Sequence, residues 1–61
     1  MDVNWYNVAM LAYEAYAQTT DNKNFRGEEM PKFGELPGKI QEAWIAAVRK
    51  ACDVYATAAT V

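Results

Sequence analysis

The sequence predicts an all-α protein, a two-helix hairpin with a long ordered crossover loop that assembles into a helical-bundle oligomer. Three observations lead there. Two segments carry apolar residues at three- and four-residue steps, the signature of amphipathic helix. An aperiodic stretch rich in turn formers separates them. Finally, 52% of the 61 residues are hydrophobic, a high share for a chain with so little interior. The whole chain, 1–61, reads as a single helical domain: helix 1 over about 2–18, a loop over 19–36, helix 2 over about 37–58.

Helix 1 runs without Gly or Pro, and Ala, Met, Leu, Glu and Gln favour it. Asp2 or Asn4 is the expected N-cap. Tyr6, Met10, Tyr13 and Ala17 form one face, and Trp5, Val8, Ala12 and Ala15 the adjacent one. Asn4, Asn7, Glu14 and Gln18 share a polar stripe with Leu11 in its middle. This apolar arc is wider than the hundred degrees or so that one partner helix covers. The remainder, Leu11 included, predicts an interface.

The loop begins with the turn formers Thr19-Thr20-Asp21-Asn22-Lys23-Asn24, and Gly27, Pro31 and Gly34 follow. Phe25, Met30 and Phe33 read as apolar pegs that fold it back onto the helices. Helix 2 is launched by Phe33-Gly34-Glu35-Leu36-Pro37. Pro37 is placed in the first helical turn, where its missing N–H has no helical partner, and Glu35 sits near the positive end of the helix dipole. Ile40, Trp44, Ala47, Val48, Ala51 and Tyr55 read as its core face, widened by Ile45, Cys52 and Ala56. Glu42, Ala46, Arg49, Asp53 and Thr57 mark the solvent stripe. The tail Ala-Thr-Ala-Ala-Thr-Val is small-sided, able to fray or to admit another helix closely.

A chain of this length buries only about 60% of its unfolded surface, so a lone domain is marginal. One cysteine and no histidine leave neither an intrachain disulfide nor a zinc site. Association with other copies is the expected stabiliser, through Leu11, Ile45, Trp5 and Val8. The net charge of −2 argues against a nucleic-acid polymer as partner. No apolar run reaches the ~18 residues of a membrane span, and no basic leader with an apolar core opens the chain. A single thiol fits the reducing cytoplasm. Cys52 reads as a small buried hydrophobe.

Catalysis has little to draw on. There is no serine or histidine, Cys52 has no evident base, and Glu28-Glu29 read as solvated loop carboxylates. A calcium loop starting at Asp21 fails, because Lys23 and Phe25 fall on ligand positions. No metal or cofactor is expected. Four of the six basic residues, Lys23, Arg26, Lys32 and Lys39, fall between 23 and 39, interleaved with Phe25 and Phe33. Basic side chains near a helix N-terminus favour an anion, and aromatics beside them stack a base. The six residues form a candidate site for a small phosphorylated or nucleotide ligand. The alternative is a solvated loop balanced by Asp21, Glu28, Glu29 and Glu35.

Leu11-Ala12-Tyr13-Glu14-Ala15-Tyr16, the loop reaching Met30-Pro31-Lys32-Phe33-Gly34-Glu35-Leu36-Pro37, and Ile40-Gln41-Glu42-Ala43-Trp44 together resemble a pattern in short bacteriophage-encoded proteins. The same stretch, about half the chain, is similar to a reduced form of the RyR domain named after ryanodine receptors. There, two helices flank a loop ending in a Pro-aromatic-x-x-Leu-Pro type turn. The chain lacks the His-Pro and much of the Trp/Arg content of full repeats, and no site residue is carried over. The phage resemblance implies a non-catalytic counter-defence protein in the host cytoplasm. It would be a homo-oligomer that sequesters a signalling nucleotide, or a module that blocks a host protein. A minor structural or assembly protein of the virion is the third possibility.

Overall fold

The computed structural model describes residues 3–24 and 26–59, with nothing described of the side chain of residue 59. Its element order is α1 (Trp5–Thr19), a 3-10 turn (Phe33–Glu35) and α2 (Gly38–Ala59), so the all-α hairpin is present. The expected cap at Asp2 lies outside the described residues. Asn4 is the cap: its side chain accepts from the Asn7 N–H at 3.1 Å, which satisfies one orphan donor of the first turn.

α1 ends in a left-handed cap. Asp21 and Asn22 have φ of 55° and 59°, and the Asn22 N–H reaches back to the Ala17 carbonyl at 2.7 Å. Asp and Asn tolerate this region better than most residues. The described residues of 22–30 then form a small ribbon, not a structureless loop. Lys23 pairs with Glu29 as an isolated antiparallel bridge, and the Met30 N–H donates to the Asn22 carbonyl at 2.7 Å. The Asn24 side chain closes the tip by accepting from the N–H groups of Arg26 and Glu28 at 2.8 and 3.0 Å. Gly27 occupies φ 78°, a conformation other residues reach only with strain.

α2 starts one residue later than the sequence predicts. The Pro37 carbonyl accepts from the N–H groups of Ile40 and Gln41 at 2.9 and 3.1 Å, so Pro37 caps the helix from just outside it. Glu35, expected at the helix dipole, caps the 3-10 turn by accepting from the Lys32 N–H at 3.2 Å.

The core sits where the 3-10 turn meets both helices. Ala9, Tyr13 and Phe33 are buried there, and Met10, Met30, Leu36, Trp44, Ile45 and Val48 pack around them. α2 is longer than α1 and overhangs it. Every described side chain from Ala51 to Ala58 is exposed. The molecule is elongated, with extents of 42 × 21 × 16 Å. Among the described residues no helix is long and apolar enough to cross a membrane.

Candidate functional site

Five aromatic rings run in an unbroken series across three elements. Tyr6 meets Phe33 edge-on at 5.1 Å, Phe33 meets Tyr13 at 5.6 Å, Tyr13 meets Trp44 edge-on at 5.4 Å, and Trp44 meets Tyr16 at 5.7 Å. Edge contacts of this kind add about 0.5–1.5 kcal/mol each beyond area burial. The series explains why the loop is ordered: Phe33 is its anchor. Two hydrogen bonds hold the same segment. The Tyr13 hydroxyl donates to the Pro31 carbonyl at 2.7 Å, and Gln41 Nε2 donates to the Phe33 carbonyl at 3.0 Å. Burial pushes the Tyr13 phenol above its ordinary pKa, and the Glu35 carboxylate and Tyr16 push it further the same way.

Phe33 therefore stands apart from the ligand set proposed for it. It is 2% exposed, with its ring between Tyr6 and Tyr13, and has no open face on which a base could stack. Phe25 lies outside the described residues. Lys23 and Arg26 are exposed on the 22–30 ribbon, Lys32 at the head of the 3-10 turn and Lys39 in the first turn of α2. A hollow of about 410 Å³ opens between α1 and the loop. Lys32, Asn22 and Gln18 line it together with the carboxylates Glu14 and Glu29. Its charges are thus mixed, not uniformly basic.

The four residues read as the oligomer interface also separate. Leu11 is 54% exposed on α1. Ile45 instead packs on the core, because α1 docks on the arc of α2 that holds Trp44, Ile45 and Val48. Trp5 and Val8 are half-buried. The Arg49 guanidinium lies over the Trp5 ring at 5.4 Å, a cation–π contact that covers one of its faces. Beside it is an open hollow of about 650 Å³ that Cys52 and Asp53 help to line. Cys52 is exposed there, not buried: it continues the docking arc one turn beyond Val48, at the start of the exposed overhang of α2. Among the described residues, no three His, Cys, Asp or Glu side chains gather into a metal-holding group.

The sequence reading missed one surface. Ile40, Ala47, Ala51 and Tyr55, expected on the core face of helix 2, are all exposed. Ile40, Ala43, Ala47, Ala51, Val54 and Ala58 form a second apolar stripe, six residues within an arc of about 80° at 3.6 residues per turn, with Tyr55 outside it. At its head Ile40, Ala43, Trp44 and Ala47 line a shallow apolar hollow of about 220 Å³. The signal was in the sequence, as an apolar arc too wide for one partner. Its division into two faces was not.

In class, fold and surface describe a two-helix all-α hairpin with a pinned loop and an unpartnered apolar stripe on its longer helix. Comparison with protein-family models, with curated proteins and with solved structures finds no match.

Proposed function

We propose that this chain is a small non-catalytic binding protein whose working form is a homo-oligomer. The observation that supports this most is the second apolar stripe of α2, which six exposed residues carry from the first turn of the helix to the last. A monomer gains nothing by leaving such a face bare, whereas an oligomer buries it.

In this reading the oligomer sequesters a small phosphorylated ligand, a signalling nucleotide in a phage counter-defence setting. Lys23, Arg26, Lys32 and Lys39 are all exposed, the first three on the loop and Lys39 in the first turn of α2, and supply the charge such a ligand needs. A second reading is a module that blocks a host protein, and the exposure of Leu11 on the opposite helix favours it. Native mass spectrometry of the protein as purified from cells tests both. A discrete oligomer carrying the extra mass of a nucleotide is the expected result. A discrete oligomer without added mass, after incubation with a panel of signalling nucleotides, moves the assignment to a protein partner. A monomer at every concentration ends the proposal.

A further inference from the structure

We infer that the α2 stripe is an antiparallel two-fold interface with a second copy of this chain. The inference rests on the homo-oligomer reading above and names the face and the register it uses.

The size of the molecule points to a missing neighbour. It exposes 5032 Å². A compact folded chain of 6.9 kDa exposes about 4,000 Å². The excess, roughly 1,000 Å², is close to the ~800 Å² that each partner contributes to a standard interface. The radius of gyration agrees. It is 13.2 Å, where a compact chain of this length has about 10.5 Å and one of twice the length about 13.7 Å. The extra length lies in the overhang of α2, where every described side chain from Ala51 to Ala58 is exposed. Helices are held in proteins mainly by packing of an apolar face, and this segment buries none of its described side chains within one copy.

The order of side chains along the stripe selects the occupant. Ile40 stands at one end, the alanines 43, 47 and 51 in the middle, and Val54 and Ala58 at the other end. A two-fold axis between Ala47 and Ala51 sets Ala47 of one copy against Ala51 of the other. It also sets Ile40 against Ala58 and brings Val54 beside Ala43 on the same flank. Each large side chain then meets a small one, and the backbones approach closely at the crossing. A parallel pair sets Ile40 level with Ile40 and Val54 level with Val54, with three alanine layers left loose between. The stripe itself carries no charge to be desolvated, so one surface serves both copies, as an isologous contact requires.

The test is sedimentation equilibrium of the full chain, with Ala47→Glu and the off-stripe control Ala46→Glu. Both positions are exposed, and circular dichroism checks that the helices persist. The expected result is a dimer whose dissociation constant rises at least tenfold in Ala47→Glu and stays within twofold in Ala46→Glu. Register is read by oxidation in a Cys52→Ser background. Ile40→Cys and Ala58→Cys chains cross-link when mixed, and neither cross-links alone. A dimer that survives Ala47→Glu but is lost in Leu11→Glu overturns this face while leaving self-association standing. Cross-linking of Ile40→Cys with itself, or none in the mixture, overturns the register. A monomeric wild type overturns this inference and the oligomer reading together.

Discussion

The Tyr13 hydroxyl of α1 donates a 2.7 Å hydrogen bond to the Pro31 carbonyl, 18 positions along the chain. This one contact joins the first helix to the loop just ahead of the 3-10 turn. The bond needs the phenol proton, and burial, with Glu35 and Tyr16, holds that proton more firmly than in the unfolded chain. A raised folded-state pKa means that the stability it contributes is fully present below the ordinary tyrosine value of about 10 and is lost as pH rises through the folded value. Urea unfolding followed by circular dichroism should show falling stability through the alkaline range. Tyr13→Phe should cost about 1 kcal/mol at neutral pH and flatten that alkaline decline. An alkaline decline of unchanged size in Tyr13→Phe would assign it to other groups.

Phe33→Ala should unfold the protein. Its ring is nearly fully buried between Tyr6 and Tyr13, and truncation of a buried Phe costs about 3–5 kcal/mol. The whole chain has only about 3–9 kcal/mol at ~0.05–0.15 per residue. A ligand-stacking Phe33 would behave otherwise, with affinity lost and thermal stability kept. A thermal melt separates the two.

The cap after α1 holds Asp21 in the left-handed region at φ 55°. Asp21→Gly removes that strain and offsets it partly with unfolded-chain entropy, for a net gain of up to about 1 kcal/mol. The melting temperature should rise by up to about 4–8 °C. Gly27→Ala is the converse. At φ 78° a methyl group meets nothing within 4 Å, so the cost is backbone strain alone. A fall of similar size is expected, and calorimetry on the pair checks both signs.

If the loop holds a phosphorylated ligand, Lys32→Ala and Lys39→Ala should each weaken it about tenfold at low salt, with the loss shrinking as salt rises. Calorimetric titration with the nucleotide released from the purified protein reads this directly. Equal affinity in both variants would remove these lysines from the site.

Much of the fold was legible. Two apolar periodicities, the Asn4 cap and the break at Pro37 place the helices within a few residues of where they lie. Met30 and Phe33 were readable as loop anchors because buried loops need apolar contacts to replace periodicity. The candidate site was less so. Phe33 was open to two uses, stacking a ligand or filling the core, and its residue type serves both. The two faces of α2 could not be told apart for a similar reason. Periodicity reports that an arc is apolar, not which part of it a neighbour covers.

By itself, then, the sequence determined the helix type, the positions of the breaks and an apolar surplus beyond what one hairpin buries. These follow from local backbone preference and residue count. Only the tertiary structure decided how that surplus is shared. Phe33 lodges between Tyr6 and Tyr13, and α1 docks on Trp44, Ile45 and Val48. Ile40, Ala47 and Ala51 are left outside because a helix packs along one arc at a time, and ring packing between distant residues chose the arc.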